Sequence, residues 1–149
     1  MKNTEDLLNQ LKLDTLSDCE YLSENEDCFL KNDLSQFWKT VIGSTDMKKS
    51  DIINKADIGY TFFYDILKGK KHPSRDTLIR IFIAMRLDID TCQEALRMYE
   101  WAALYPKIKR DSILIYCLAH NFSLQQSEEL LEKYGAFLVN FAIIRHLSL

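Results

Sequence analysis

Glycine and proline are scarce in this chain: its 149 residues include four Gly and two Pro. Average usage of about 7% Gly and 5% Pro would give roughly a dozen or more. A β-sandwich or barrel needs turn residues about every 8–12 positions, so the scarcity argues against an all-β fold and excludes a collagen-like chain. All six residues fall between segments of helical apolar spacing, which predicts an all-α protein.

Closely spaced cysteines and long apolar runs are also missing. The four cysteines form no CxxC pair and predict free thiols in a reducing compartment; they are Cys19, Cys28, Cys92 and Cys117. The N-terminal sequence MKNTEDLLNQLKL is charged, unlike a signal peptide. No segment approaches the length of a membrane span, about 18 apolar residues. The sequence therefore predicts a cytoplasmic protein without a membrane segment.

Catalytic and nucleotide-binding motifs are absent too, since the chain contains no GxGxxG, GxxxxGK, GxSxG or HExxH sequence. Cys117 and His120, three positions apart, offer either a nucleophile–base pair or half of a metal site. Because zinc usually takes four closely spaced ligands, we interpret them as a buried thiol beside a histidine at a helix end. Cys92 is interpreted as a core residue, and Trp38 and Trp101 as packing residues. We expect no enzyme activity, cofactor or metal site.

Charge is distributed unevenly within a net charge of -3. Residues 1–36 carry nine acidic and three basic side chains, whereas residues 48–75 carry seven basic and three acidic ones. A local basic patch can bind phosphate groups even when the whole protein is acidic. The alternative is a solvated charged surface without a ligand.

Apolar residues recur at helical spacing between the Gly and Pro positions. The central helices are predicted over Asp33–Ile42 with Asp33 as cap, Lys49–Ala56, Tyr60–Lys68, Arg75–Arg86 with Ser74 as cap, and from Asp90 or Thr91 to Pro106. Arg75–Arg86 is apolar nearly all round, so we expect it at the centre of the core. One face of the last helix should carry Cys92, Ala95, Leu96, Tyr99 and Ala102.

Weaker patterns predict helices at both ends of the chain. Leucines predict a helix over Glu5–Leu13. Further on, a helix is predicted over Ile113–Ala119, stopped by His120 and Asn121. A capping box of Ser123 and Gln126 starts the next predicted helix, which reaches Gly135 and should bury Leu124, Ser127, Leu130, Leu131 and Tyr134. The tail over Ala136–Leu147 is apolar, and we expect it to be helical and to lie in the core.

The segment KKSDIINKADIGYTFFYDILKGKKHPSRDTL, residues 48–78, resembles the helix-turn-helix of Cro and the phage repressors, the Xre family. Its apolar residues match the family's inward positions: Ile52, Ile53 and Ala56 on the first helix, Ile58 after the turn, and Phe63 and Ile66 on the second helix. GKKHPS resembles the family's G-K-x-x-P-S loop. The stretches PSRDTL, LYPKIKRDSILIYCL and LLEKYG resemble a subgroup from Firmicutes with an acidic N-terminal arm and a C-terminal helical extension.

The resemblance implies a domain organisation and a DNA-reading helix. The domains would be an acidic, partly flexible arm over 1–32, a five-helix phage-repressor-like helix-turn-helix domain over 33–104, and a helical extension over 105–149. The family usually places Gly in the turn, where this chain has Asp57, a residue type that tolerates the left-handed conformation. In this motif the second helix enters the major groove. Its outward residues would be Tyr60, Thr61, Phe62 and Asp65, with Tyr64 at the margin.

Each expected contact has a chemical basis. Thr61 can hydrogen-bond a phosphate or a base, Phe62 or Tyr60 can touch a thymine methyl, and Asp65 can accept from cytosine. The residues expected at phosphates are Lys48, Lys49 and Ser50 at a helix start, Lys68, Lys70 and Lys71 after the second helix, and Arg75.

Two functions are therefore open. The leading hypothesis is a cytoplasmic transcriptional regulator, a repressor that binds double-stranded DNA as a homodimer. The alternative is a protein-interaction module on a repressor-like fold, such as an antitoxin, a phage-derived inhibitor or an adaptor. The acidic arm is either a solubilising tail or a segment that binds a protein partner or competes with DNA.

Overall fold

The computed structural model describes residues 2–13, 18–28 and 33–138. These residues form helices and connecting segments without a strand, which confirms the all-α prediction over the described part of the chain. The helices are α1 (Thr4–Lys12), α2 (Asp18–Glu24), a 3-10 turn (Glu26–Cys28), α3 (Leu34–Gly43), α4 (Lys49–Ala56), α5 (Tyr60–Leu67), α6 (Arg75–Met85), α7 (Ile89–Met98), α8 (Lys109–Ala119) and α9 (Leu124–Lys133). The chain divides into two compact units, Met1–Asn32 and Asp33–Leu149.

The first unit contains α1, α2 and the 3-10 turn. Asn3 caps α1, because its side chain accepts from the backbone N–H of Asp6 (2.8 Å) while the Asp6 carboxylate accepts from the N–H of Asn3 (3.2 Å). The predicted helix over Glu5–Leu13 is thus confirmed with its bounds shifted by one residue. Sequence reasoning missed α2, and it missed Asn25, a buried amide that accepts from Lys2 Nζ at 2.8 Å.

The second unit is built around α6. Ser74 caps this helix by accepting from the N–H of Thr77 (3.1 Å), as predicted. Every residue from 77 to 85 is buried, which confirms the expected central position. Helices α4, α7, α8 and α9 all contact α6. A helix surrounded by others must be apolar on all sides, and this accounts for its composition.

Helix α7 differs from its prediction at both ends. Asp88, rather than Asp90 or Thr91, caps it by accepting from the N–H of Thr91 (2.8 Å). The helix ends at Met98 because Glu100 takes a left-handed conformation (φ 61°), well before Pro106. The segment that follows is not helical and Ala102 is exposed, so the prediction that it shares the buried helix face is wrong.

The end of the described chain also departs in part from expectation. The capping box of Ser123 and Gln126 is confirmed, with hydrogen bonds of 2.9 and 3.1 Å. Tyr134 was expected to be buried and is exposed, because α9 ends at Lys133 before the chain turns at Gly135. Residues 136–138 are not helical, and the rest of the predicted tail lies outside the described residues.

One smaller difference concerns the start of α8. Helix α8 begins at Lys109, four residues before the predicted start at Ile113. Among the helices that the structure describes, none has the length and apolar character needed to cross a bilayer.

Candidate nucleic-acid interface

Helices α4 and α5 are joined by a three-residue turn. Asp57 follows the last residue of α4 with φ 53° and ψ 54°, the left-handed conformation expected from the sequence. The N–H of Ile58 donates to the carbonyl of Ile53 at 3.3 Å and closes the end of α4. Gly59 then occupies the cap position of α5 and offers no capping side chain.

The inward faces of these two helices match the predicted pattern. Ile58 is half-buried and packs against the core. The buried residues of α4 and α5 are Ile52, Ile53, Ala56, Phe63 and Ile66. Because these side chains pack into the core, the opposite surface of α5 is left to face outward.

A buried arginine, Arg80 of α6, supports the turn and was not singled out in the sequence. Its side chain is 2% exposed. Its Nε donates to the carbonyl of Ala56 at 3.3 Å, and Nη1 donates to Glu128 Oε1 on α9 at 2.8 Å. Nη2 lies 3.7 Å from a carboxylate oxygen of Asp57. These partners make the buried charge of Arg80 tolerable. The sequence signal that could have identified Arg80 was a single charged residue within an apolar run.

The four predicted base-contacting residues divide into two pairs. Tyr60 is 64% exposed, and Thr61 is also exposed. Phe62 and Asp65 are half-buried, and Phe62 packs against the hydrophobic core. The outward surface of α5 therefore centres on Tyr60 and Thr61 at the first turn of the helix.

Two tyrosines and a lysine form a cluster on this surface. The rings of Tyr60 and Tyr64 lie 4.6 Å apart between centroids, tilted by 39°. The neighbouring Tyr64 side chain raises the pKa of the Tyr60 hydroxyl, and the charges of Lys49 and Lys68 oppose the rise. Lys49 Nζ lies 5.5 Å from the centroid of the Tyr64 ring, a cation–π distance. The start of α4 and the start of α5 thus meet at one aromatic cluster.

The predicted phosphate-binding residues lie on both sides of α5, and most are exposed. Gly69, in the left-handed conformation (φ 76°), ends the helix region. The N–H of Lys70 donates to the carbonyl of Asp65 at 2.8 Å, which fixes the backbone after α5. The exposed residues of this set are Lys48, Lys49 and Ser50 at the start of α4, and Lys68, Lys70 and Lys71 after α5.

The start of α4 also carries a carboxylate that the sequence reasoning did not weigh. Asp51 accepts from the backbone N–H of Lys48 at 3.2 Å. One of the N–H groups expected to attract an anion is therefore already bonded. Any anion here would be held mainly by the lysine side chains.

Arg75 differs from the other residues expected at phosphates. Its guanidinium makes two hydrogen bonds to Asp111, of 3.1 and 3.0 Å. Nε donates to the carbonyl of Ala102 at 2.8 Å. Its side chain is 20% exposed and that of Asp111 3%. Arg75 therefore holds α6, α8 and the segment after α7 together, and its guanidinium is occupied by these contacts.

The loop after α5 is held in place by aromatic residues. His72 Nε2 donates to the carbonyl of Tyr99 at 3.1 Å, and Trp101 Nε1 donates to the carbonyl of Pro73 at 3.0 Å. Tyr99 in turn accepts from Nε1 of the buried Trp38 at 2.7 Å. Both tryptophans thus act in packing, as expected, and they fix the loop that carries Lys70 and Lys71.

The cysteine and histidine side chains that could serve as a nucleophile, a base or a metal ligand lie in surroundings that do not favour these roles. Burial raises the pKa of the Cys92 thiol to about 12 and also raises the pKa of the Cys117 thiol. His120 is exposed and stacks on Tyr116, with 4.2 Å between ring centroids. No group of three or more potential metal ligands occurs among the residues that the structure describes.

No family model, curated protein or solved structure matches the chain.

Proposed function

We propose that this chain is a cytoplasmic, DNA-binding transcriptional regulator, a repressor, in which α4 and α5 form a phage-repressor-like helix-turn-helix within a five-helix domain, α3 to α7. The observation that supports it most is the outward surface of α5, with Tyr60 and Thr61 exposed at its start and lysines on both sides. A helix of this kind fits the major groove of B-DNA with its N-terminal residues at the bases.

Electrostatics favours a polyanion as the ligand. Five exposed lysines flank α5, namely Lys48, Lys49, Lys68, Lys70 and Lys71. Each lysine that neutralises a phosphate releases counterions from the DNA, and this supplies affinity that falls as salt rises. The anchored loop keeps Lys70 and Lys71 close to the C-terminal end of α5, where the backbone of a duplex would pass.

The composition of the surface favours a homodimer on DNA. No Arg, Asn or Gln stands among Tyr60, Thr61, Phe62 and Asp65, so the strongest two-point contacts to bases are not available. Two copies would place two α5 helices in successive major grooves, about 34 Å apart, and double the phosphate contacts.

The proposal is tested by titrating a labelled duplex with the full chain at several salt concentrations, following fluorescence anisotropy. The logarithm of the affinity should fall linearly with the logarithm of the salt concentration, by about 0.9 for each phosphate contact. The double variant Lys70→Ala/Lys71→Ala should make this slope shallower by up to about 1.8 for each protomer, and so by up to about 3.6 for a bound homodimer.

The matched control is Lys107→Ala/Lys133→Ala, which removes the same charge from exposed positions outside α4 and α5. It should lower affinity slightly through net charge and leave the slope nearly unchanged. If the natural chain binds no duplex at low salt, the proposal is wrong.

A protein-binding function is the second candidate, and the acidic side chains within the motif favour it. Asp51, Asp57 and Asp65 would each repel a nearby phosphate, and Tyr60 is an exposed aromatic of the type common at protein interfaces. A pull-down from native lysate, with and without nuclease, separates the two candidates. A stoichiometric protein partner that survives nuclease, with no DNA retained, would favour this function.

A further inference from the structure

The paired rings of Tyr60 and Tyr64 give the outward surface of α5 an apolar character. The two residues are four positions apart and so share one side of the helix. Their centroid distance of 4.6 Å places the rings in contact. The two rings therefore form one contiguous aromatic surface.

Lys49 places a positive charge beside one ring of this pair. Its ammonium lies on the Tyr64 ring, at 5.5 Å from the centroid, while Tyr60 is the more exposed of the two rings. A duplex whose backbone runs past Lys49 would bring its groove towards the Tyr60 ring.

In the major groove the apolar group available to an aromatic ring is the 5-methyl group of thymine. Cytosine, adenine and guanine present hydrogen-bonding groups that the carbon edge of a ring cannot satisfy. Carbon atoms of Tyr60 and a methyl group would both be removed from water by such a contact, which is favourable in proportion to the area buried.

We infer that the Tyr60–Tyr64 pair reads 5-methyl groups of pyrimidines in the major groove, so that the chain prefers A·T-rich duplexes through their methyl groups. This inference rests on the proposed DNA-binding function. It names the chemical group recognised at α5 and assigns the reading to the ring pair rather than to Phe62.

The test uses one mixed-sequence duplex of about 24 base pairs, two helical turns, made in four versions. These carry thymine and cytosine, uracil and cytosine, thymine and 5-methylcytosine, or uracil and 5-methylcytosine. Removing a methyl that the ring covers should weaken binding about fourfold, since a buried methylene is worth about 0.8 kcal/mol. Adding the methyl to cytosine should strengthen binding by a comparable factor.

Two variants assign the effect to the ring. Tyr60→Phe keeps the ring and should preserve the ratio between methylated and unmethylated duplexes, whereas Tyr60→Ala should bring it close to one. Comparing ratios rather than affinities cancels the effect of uracil on the duplex itself. Tyr134→Ala is the matched control, because Tyr134 is an exposed tyrosine beside Lys109 and Lys133 on another surface, and it should leave the ratio unchanged.

The outcomes separate this inference from the proposed function. Equal binding to all four duplexes overturns methyl reading and leaves DNA binding in place. A methyl preference that persists in Tyr60→Ala also overturns the assignment to the ring pair. Failure of the natural chain to bind any version at low salt removes the proposed function, and methyl reading with it.

Discussion

Two connections in the second unit have the same backbone design and different caps. After α4 the chain runs through Asp57, Ile58 and Gly59, and after α6 through Arg86, Leu87 and Asp88. The first residue of each is left-handed, with φ of 53° and 55°. The second donates its N–H to the helix that has just ended, at 3.3 and 3.1 Å. The third caps the next helix.

The difference lies at that third position. Asp88 satisfies the start of α7 with its carboxylate, which accepts from the N–H and the hydroxyl of Thr91 at 2.8 and 2.9 Å. Gly59 brings no acceptor to the start of α5. The start of a purely structural helix is thus closed by its own side chain, while the start of the proposed reading helix is left for a ligand or water.

The turn between α4 and α5 is also supported from inside the core, because Arg80 donates to the carbonyl of Ala56. Arg80→Ala should lower the free energy of unfolding by about 3 kcal/mol, since it empties a buried volume and leaves that carbonyl without its donor. Arg80→Met, which fills much of the volume, should cost clearly less. Chemical denaturation followed by circular dichroism measures both, and an Arg80→Met variant as stable as the natural chain would contradict the pairing role.

The cap of α7 gives the next largest effect. Asp88→Ala should cost about 1 kcal/mol, the usual loss for a capping carboxylate, with Thr91 left in place. Thermal unfolding at neutral pH measures it. Asp90→Ala, on the first turn of the same helix, is the control and should cost less; an equal loss would mean that helix-dipole charge, not the cap, stabilises α7.

The same residue predicts a pH dependence. The hydrogen bonds from Thr91, backbone first and then hydroxyl, lower the pKa of Asp88 in the folded chain. A carboxyl with a lowered pKa stabilises the fold above its unfolded pKa, near 4, and loses this contribution as pH falls through the folded value. The stability gap between the natural chain and Asp88→Ala should therefore narrow in acid, and a constant gap would contradict this linkage.

Smaller effects on the free energy of unfolding are expected at Asp57 and Arg86, the left-handed residues of the two connections. Arg86→Gly should stabilise the fold by about 0.5–1 kcal/mol, because glycine adopts this conformation without strain. Asp57→Gly relieves the same strain but removes the carboxylate near Arg80, so its gain should be smaller. Asp57 is 76% exposed and its ion pair is 3.7 Å long, so the difference should stay within about 1 kcal/mol. Equal gains at both positions would mean that the Arg80–Asp57 pair contributes nothing.

The sequence predicted what is local and missed what depends on distant partners. The bounds of α4 were predicted, because apolar spacing acts over a few residues, and the left-handed Asp57 fits the resemblance of the turn to one that usually holds glycine. The partners of Arg80 could not be predicted, since Glu128 lies 48 positions away. The hydrogen bonds of Arg75 to Asp111, and the packing of Phe62 against the core, likewise depend on how the helices pack.

At Gly59, stability and DNA binding should respond differently to the same added side chain. A Cβ atom there would meet only the Cβ of Phe62, at an ordinary 3.8 Å, and the φ of −69° suits any residue. Gly59→Ser and Gly59→Asp should each stabilise the fold by a few tenths of a kcal/mol, because both supply the missing cap. Gly59→Asp should also weaken the proposed DNA binding more than Gly59→Ser does, because only the aspartate adds a negative charge where the phosphates would approach. Unfolding and anisotropy titrations on both variants check this. Equal affinity of the two variants for DNA would show that the uncapped start of α5 is merely a tolerated glycine and would remove its contrast with the closed start of α7.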